Sequence, residues 1–186
     1  MKRFFDIICA SVALVFFSLP MLVIALAVKF TSKGPILYWS DRVGCNNAIF
    51  RMPKFRTMRT DTPEVATHLL EDPQRWRTPI GKFLRKSSLD ELPQILNIVK
   101  GEMSLVGPRP ALFNQDDLIK LRTQKGIHYL VPGLTGWSQI NGRDELPITI
   151  KVEYDEYYLN NRSFFLDLKI IALTVVKVLK MESVAQ

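Results

Sequence analysis

One apolar stretch decides how this chain is organised: residues 7–28, IICASVALVFFSLPMLVIALAV. Its 22 residues include no charged side chain. A helix needs about 20 consecutive apolar residues to cross the hydrocarbon core of a bilayer. The sequence therefore predicts a membrane helix near its N-terminal end.

Pro20 lies near the middle of this stretch, and Ser18 lies just before it. A proline inside a helix removes one hydrogen-bond donor and clashes with the preceding turn, and a serine hydroxyl can bond a carbonyl that the proline frees. We therefore expect a kink or break of the helix near residues 18–20. Basic residues flank both ends of the stretch, so the positive-inside rule does not favour opposite sides of the membrane. These features favour a re-entrant helix–break–helix over residues 1–32, with both ends on the cytoplasmic face.

Three alternatives for the same stretch stay open. A single span, straight or kinked, tolerates proline in many membrane helices. A cleaved signal peptide has a shorter apolar region, although residues 25–27 (ALA) weakly resemble a cleavage site. A buried helix of a soluble domain is the third alternative.

The positive charge of the chain is concentrated around the apolar stretch. Of the 186 residues, the first 60 carry nine basic and two acidic side chains, and the other 126 carry 16 of each, which gives the net charge of +7. Because this charge flanks an apolar run, it is expected to face anionic membrane lipids. We predict no nucleic-acid partner, since a basic surface for nucleic acid would not surround a membrane segment.

Residues 33–186 have the length of one domain, so we expect them to form a single domain. The predicted fold class is mainly α with a small β-hairpin (α+β). Strand patterns lie at residues 36–39 and 48–50, helical spacing lies at 80–84, 89–99 and 112–130, and residues 131–147 are expected to form loops.

The last long element, residues 164–180, is predicted to be an amphipathic helix. Its apolar arc lies opposite Asp167, Thr174 and Lys177, and its longest charge-free run is too short to span a bilayer. The apolar arc either covers the domain core or lies in the membrane interface. Core packing is the more common arrangement for such a helix.

The segment SSLDELPQ, residues 87–94, is the most informative motif for chemistry. Ser88, three residues before Glu91, forms a capping box, although Pro93 would disturb the start of that helix. Adjacent carboxylates near a helix N-terminus, here Asp90 and Glu91, also suit a nucleophile, a base or magnesium ligands. From these residues alone the cap is the more common role, and the two roles can coexist.

Three further segments place cations on constrained or glycine-rich backbone: GPRP at residues 107–110, PGLTGWSQINGR at 132–143 and KFRTM at 54–58. Two prolines fix Arg109, which lowers the entropy lost when its guanidinium binds. The second segment ends at Arg143, and the third supplies Lys54 and Arg56. Such loops suit phosphate recognition. Combined with the carboxylate pair and a membrane anchor, they indicate phosphoryl transfer at a bilayer surface.

These motifs, in their order along nearly the whole chain, resemble those of the bacterial sugar transferases, specifically the small monotopic polyprenol-phosphate phosphoglycosyl transferases. The resemblance implies transfer of a sugar 1-phosphate from a UDP-sugar to undecaprenyl phosphate with release of UMP. This is the first membrane step in making glycoconjugates such as exopolysaccharide or lipopolysaccharide. It also implies a re-entrant helix over residues 1–32 and a catalytic phosphoglycosyl transferase domain over residues 33–186. The implied location is the cytoplasmic face of the bacterial inner membrane, with the catalytic domain on the cytosolic side.

By the same resemblance, Asp90 is the nucleophile that forms an aspartyl-phosphosugar intermediate. Glu91 acts as base toward the lipid phosphate or holds Mg²⁺, the implied cofactor, for which both Asp90 and Glu91 are candidate ligands. The candidate phosphate- or substrate-binding residues are Lys54, Arg56, Arg85, Arg109 and Arg143. Ser18 and Pro20 are the candidate helix break.

Two positions depart from the family pattern. Leu19 separates Ser18 from Pro20, and Ser40 and Asp41 precede Arg42 where the family usually has a glutamine. The expected partners besides the two substrates are membrane lipids and downstream glycosyltransferases, and a second copy of the chain is a candidate partner. The alternative function is a membrane-anchored, non-catalytic interaction protein in which the two carboxylates only cap a helix.

Overall fold

Seven α-helices and five short strands follow one another in the described part of the computed structural model, which comprises residues 2–62, 72, 74–142 and 146–180. The helices are α1 (Lys2–Thr31), α2 (Gly81–Ser87), α3 (Ile95–Lys100), α4 (Asp116–Gln124), α5 (Trp137–Ile140), α6 (Ile148–Asn161) and α7 (Phe164–Leu179). The strands are β1 (Leu37–Val43), β2 (Ile49–Phe55), β3 (Ser104–Val106), β4 (Ala111–Leu112) and β5 (Gly133–Thr135). Helix and sheet are therefore mixed, as predicted, with helix predominating.

The apolar stretch forms α1, which is helical without interruption and contains Pro20. A complete break near residues 18–20 is therefore not seen, and the expected kink stays a prediction. A proline removes a single donor, and the rest of the hydrogen-bond ladder continues on both sides of it. The Ser18 hydroxyl donates to the Val15 carbonyl at 2.7 Å, not to the carbonyl of Phe16 four residues before the proline. Among the described residues, α1 is the helix long and apolar enough to cross a membrane.

One face of α1 packs against the rest of the molecule along the whole helix. Its buried residues recur at helical spacing: Asp6, Ala10, Ile24 and Val28. The apolar members of this set join two core clusters with side chains of β2, α2 and α3. The opposite face is apolar and exposed, including Val12, Val15, Leu19, Val23 and Phe30. Both ends of α1 therefore lie against the same domain.

Polar contacts attach the N-terminal end of α1 to the domain. Lys2 Nζ donates to Asp167 Oδ2 of α7 at 2.6 Å, and the Ser104 hydroxyl of β3 donates to Asp6 Oδ2 at 2.7 Å. Arg3 donates to two carbonyls in the last turn of α3. These contacts join the start of the chain to elements roughly 100 to 165 residues away in sequence.

The predicted β-hairpin is confirmed and is longer than the sequence pattern indicated. β1 and β2 pair antiparallel from Leu37↔Phe55 to Val43↔Ile49, and β4 pairs with the end of β1. In a second, parallel pair, β3 lies beside β5. The 3₁₀ segment Cys45–Asn47 turns the hairpin, with Asn46 in the left-handed region that asparagine tolerates.

The helix expected over residues 112–130 is wrong in its extent. The chain forms β4, the shorter helix α4 and a 3₁₀ segment, Ile127–Tyr129, in that region. Gly126, with φ of +72°, lies between α4 and that segment and changes the chain direction. The predicted loop at 131–147 contains β5 and α5, and α6 follows where the sequence analysis placed no element.

The predicted C-terminal amphipathic helix is confirmed as α7, which Ser163 caps by accepting the Leu166 N–H at 3.2 Å. Its packing is the reverse of the favoured expectation. Asp167 and Ile170 are buried against the domain, whereas Phe165 is 83% exposed and Val175 is exposed as well. The polar face finds partners inside, because Asp167 accepts from Lys2 and from the Tyr158 hydroxyl. The apolar arc is left facing outward.

Candidate active site

A sharp turn at Ser88 brings the end of α2 next to the 3₁₀ segment Leu89–Gln94. Ser88 has φ of 57° and ψ of 15°, in the left-handed region, and its N–H donates to the Arg85 carbonyl at 3.2 Å. A serine N-cap needs extended backbone to aim its hydroxyl at the helix, and the Ser88 side chain makes no capping bond. The predicted capping box is therefore wrong, whereas the irregular start expected from Pro93 is confirmed by the 3₁₀ geometry.

Asp90 and Glu91 lie in the first turn of this 3₁₀ segment and are only 8% and 9% exposed. Glu91 Oε1 accepts from Lys54 Nζ at 2.7 Å and from Arg109 Nη2 at 3.1 Å. Asp90 receives no hydrogen bond from another side chain in the described part of the chain. Two adjacent carboxylates thus have different surroundings: one is held by cations, and the other is available for reaction.

The surroundings of Asp90 disfavour its charge. Burial raises the pKa of Asp90 to about 6, and the neighbouring Glu91 carboxylate adds to the effect, while Lys54 and Arg85 oppose it. At neutral pH the group is mostly ionised but is stabilised less than an ordinary surface carboxylate. A buried carboxylate with such a perturbed pKa and specific charged neighbours is a candidate nucleophile or base.

Lys54 reaches Glu91 from the β-hairpin. It lies on β2, directly opposite Tyr38 of β1, and the sheet packs on the segment that carries the carboxylates. Burial lowers the pKa of Lys54, and the charge of Glu91 opposes that change. The amino group is therefore held close to the carboxylates in a largely desolvated position.

Arg109 is positioned by two glycine-built loops that interlock. The Gly107 N–H donates to the Thr135 carbonyl, and the Gly133 N–H donates to the Pro108 carbonyl, both at 2.9 Å. A Cβ atom added at Gly136 would lie 2.1 Å from the Gly107 carbonyl oxygen, closer than any side chain permits. The two motifs that the sequence analysis treated separately thus form one support for Arg109.

The buried ion pair between Arg122 and Asp155 contacts the backbone of Arg109. Arg122 Nη1 donates to the Arg109 carbonyl at 2.8 Å, and its Nε and Nη2 donate to Asp155 Oδ2 at 3.0 and 2.5 Å. The Ser138 hydroxyl donates to Asp155 Oδ1 at 2.9 Å. The sequence analysis missed these residues. The available signal was that Arg122 follows the apolar Leu118 by four residues, which places a charge on the buried face of α4.

Arg85 and Arg42 complete the positive surroundings. Arg85 Nε donates to the Thr57 hydroxyl at 3.0 Å, and burial lowers its pKa while the charge of Asp90 opposes the change. Arg42, which was not predicted as a site residue, donates to the Ser40 hydroxyl and the Pro110 carbonyl, and its charge acts on Lys54. Ser40, one of the two departures from the family pattern, therefore lies beside the site.

Arg56 does not join the other predicted residues, which corrects its assignment to phosphate binding. Its guanidinium is buried and donates to the carbonyls of Ser32, Lys33 and Pro35, closing the turn after α1. Arg143 lies outside the described residues. The structure thus brings together five predicted residues, which we term the carboxylate–cation cluster: Asp90, Glu91, Lys54, Arg85 and Arg109.

The donor set of this cluster fits Mg²⁺. The described residues contain no group of three His, Cys, Asp or Glu side chains that could enclose a metal ion. Mg²⁺ in phosphoryl-transfer sites is usually held by one or two carboxylates together with substrate phosphates, so Asp90 and Glu91 supply a sufficient protein share.

Comparison with known proteins places these features in context. A family model described as bacterial sugar transferase matches residues 1–181. An uncharacterized sugar transferase, EpsL of Bacillus subtilis (strain 168), is 44% identical over 100% of the chain and 91% of its own length. The exopolysaccharide production protein ExoY of Rhizobium meliloti (strain 1021) is 41% identical, over 94% of the chain and 83% of its own length. The UDP-glucose:undecaprenyl-phosphate glucose-1-phosphate transferase of Klebsiella pneumoniae is 42% identical over 95% of the chain, which spans 39% of that longer protein.

Proposed function

Because the chain belongs to the bacterial sugar transferase family, we propose that it transfers a sugar 1-phosphate from a UDP-sugar to undecaprenyl phosphate and releases UMP. The predicted enzyme class, a sugar-1-phosphate transferase, is confirmed by the relatives named for that reaction. One observation carries the proposal. Asp90 is buried and accepts no hydrogen bond from another described side chain, whereas the adjacent Glu91 is paired with two cations.

The charge of the site suits a diphosphate substrate. The carboxylate–cation cluster contains three cations and two carboxylates, and Arg42 adds a fourth cation beside Lys54. A surplus of fixed positive charge in a desolvated site attracts phosphate oxygens and stabilises charge that develops on them. Arg85 and Arg109 are proposed to bind the diphosphate, because one lies beside Asp90 and the other beside Glu91.

In the proposed first step, a carboxylate oxygen of Asp90 attacks the phosphorus that bears the sugar. The bond between that phosphorus and the oxygen bridging it to UMP breaks, and the bond electrons leave with UMP. The product is an aspartyl-phosphosugar on the enzyme. The Asp90 carboxylate supports this role because it accepts no hydrogen bond from another described side chain. With a pKa of about 6 it is still mostly ionised at neutral pH, as a nucleophile must be.

In the proposed second step, an oxygen of undecaprenyl phosphate attacks the same phosphorus. Asp90 leaves as a carboxylate, and undecaprenyl-diphosphate-sugar is formed. Glu91 is proposed to accept a proton from the lipid phosphate. It is also proposed to hold Lys54 and Arg109 next to that phosphate. The covalent relay lets two mutually repelling anionic substrates use one site in turn.

Asp90 and Glu91 are also the residues proposed to hold Mg²⁺. When bound, the ion would neutralise charge on the transferring phosphate. The proposed contribution of the chain is the pair of hard oxygen donors, placed next to the arginines that bind the rest of the diphosphate.

We further propose that the protein is monotopic at the cytoplasmic face of the inner membrane. The supporting observation is that α1 contacts the domain from its first turn to Val28, an arrangement that favours both ends of the helix lying on one side of the membrane. The outward faces of α1 and α7 are apolar and suit lipid contact. The re-entrant path, the division at residue 32, a homodimer and downstream glycosyltransferases stay predictions.

The test uses the full chain in lipid nanodiscs with undecaprenyl phosphate, Mg²⁺ and a panel of UDP-sugars, and it measures UMP release and a trapped phosphosugar adduct. Asp90→Asn is expected to reduce both at least about 1,000-fold, because the amide cannot act as the nucleophile. Asp61→Asn, at an exposed aspartate paired with Arg59, is the matched control and should keep full activity.

Unchanged UMP release by Asp90→Asn would contradict the mechanism, and no release from any UDP-sugar by the unaltered chain would contradict the reaction. The non-catalytic alternative has lost its main support, since it depended on a capping box that Ser88 does not form.

A further inference from the structure

Tyr38 is an exposed aromatic residue on the strand face that carries Lys54. The two residues are paired across β1 and β2, so their side chains project from the same face of the sheet. Directly opposed residues have Cβ atoms about 4.5–5.5 Å apart. Tyr38 is 58% exposed and makes no hydrogen bond or ring contact with the described residues. Its ring is therefore an uncovered apolar surface next to the stem of Lys54.

Solvent exposure varies along the same strand face. Along β1, Ser40 and Arg42 share the face of Tyr38, because alternate residues project the same way. Ser40 is 4% exposed, and Arg42 is tied to the Pro110 carbonyl. Exposure thus rises from Ser40 to Tyr38. Solvent therefore reaches this face at Tyr38, the cross-strand partner of Lys54, whose amino group contacts Glu91.

We propose that Tyr38 is the surface on which the uracil ring of the donor stacks. This inference rests on the proposed function, in which the neighbouring cations bind the diphosphate. A nucleotide bound there through its phosphates must place its flat ring a short distance away, and the exposed ring of Tyr38 offers a stacking partner. Stacking of a base on an aromatic side chain is worth roughly a tenfold or larger change in affinity.

A role for Tyr38 as a lipid anchor is disfavoured by its neighbours. The apolar surfaces that suit lipid lie on the outward faces of α1 and α7, whereas the face of β1 that bears Tyr38 also bears Ser40 and Arg42. Trp39, the next residue, projects from the opposite face of the strand, where the Arg51 guanidinium lies 5.1 Å from the centre of its ring. Trp39 is therefore a matched control: an aromatic residue on the same strand, directed away from the cluster.

The test compares two probes, UMP and ribose 5-phosphate, binding to the full chain in nanodiscs. Ribose 5-phosphate keeps the sugar and the phosphate but lacks the base. Tyr38→Ala is expected to weaken UMP binding about tenfold and to leave ribose 5-phosphate binding unchanged. Tyr38→Phe should bind both probes as the unaltered chain does, because it keeps the ring. Trp39→Ala should also leave both unchanged.

Other outcomes would overturn the inference. Unchanged UMP affinity in Tyr38→Ala, together with weaker binding of the chain to liposomes, would assign Tyr38 to the membrane. An equal loss for both probes would show that the substitution disturbs the phosphate site instead. In either case UMP release by the unaltered chain would leave the proposed function standing, whereas absence of UMP release would remove that function itself.

Discussion

Asp155 and Asp90 are both buried carboxylates with arginines nearby, yet their surroundings differ in kind. Asp155 is 1% exposed, and both of its oxygens accept hydrogen bonds, from Arg122 and Ser138. Asp90 accepts no hydrogen bond from another side chain in the described residues and sits beside a second carboxylate, Glu91. The first arrangement satisfies every charge and stabilises the fold, whereas the second leaves a charge poorly compensated and is suited to chemistry.

The largest expected effect, on the free energy of unfolding, comes from breaking the Arg122–Asp155 ion pair. Asp155→Asn removes the charge that compensates Arg122 and should lower the free energy of unfolding by about 3–5 kcal/mol. Glu156→Gln, at the next residue, breaks only an exposed ion pair with Lys125. It should change the free energy of unfolding by about 1 kcal/mol or less. Urea unfolding followed by circular dichroism measures both. Equal effects of the two substitutions would contradict the distinction.

At Asp90 the opposite change in stability is expected: removing its charge should stabilise the fold. Its folded-state pKa of about 6 lies above the usual value of 3.8, so ionisation destabilises the fold, and this cost develops as the pH rises from about 4 to about 6. Asp90→Asn should therefore stabilise the metal-free protein by about 2–3 kcal/mol at pH 7.5 and have little effect at pH 4.

Thermal or urea unfolding in EDTA at the two pH values measures this difference. An Asp90→Asn variant that is less stable than the unaltered chain at pH 7.5 would show that the aspartate is compensated as well as Asp155 is. The comparison between the two carboxylates would then fail.

A smaller effect is expected from the coupling between Arg122 and Arg109. Arg122 is expected to act on the reaction through Arg109, whose carbonyl it binds, so the two residues should be coupled. Arg122→Lys and Arg109→Lys should each lower kcat/KM for the UDP-sugar about tenfold. The double variant should be only about tenfold impaired, a coupling of about 1.4 kcal/mol.

Arg59→Lys, at an exposed arginine paired with Asp61, is the control substitution for this cycle. A merely structural role for Arg122 predicts a lowered melting temperature with additive losses of activity. Additive losses in kcat/KM would therefore contradict a positioning role.

Features that depend on a short stretch of sequence were predicted well. The hairpin, the C-terminal amphipathic helix and four basic or acidic motifs are local patterns, and the structure brings Asp90, Glu91, Lys54, Arg85 and Arg109 together. Lys54 and Arg109 lie 37 and 18 residues from Glu91, so no local pattern showed which carboxylate they would contact. Their convergence depends on how β2 and the glycine loops pack.

The errors arose where packing overrides local preference. Ser88 has the sequence of a cap but the left-handed backbone of a turn, because α2 must reverse there to present Asp90. Arg56 has the sequence context of a phosphate-binding residue, but the carbonyls after α1 take its donors. α7 turns its polar face inward because its buried partners are polar. Amphipathic spacing alone shows that a helix has two faces, not which of them meets the protein.

The attachment of α1 has a consequence for the order of assembly. A ribosome makes Lys2 and Asp6 long before Ser104 and Asp167, their partners in β3 and α7. Until those partners have been made, Lys2 and Asp6 lack these contacts. The contacts at its N-terminal end close only when the last helix is complete, and contacts so distant in sequence form slowly. The polar contact between α1 and α7 is thus among the last contacts of the described fold to form.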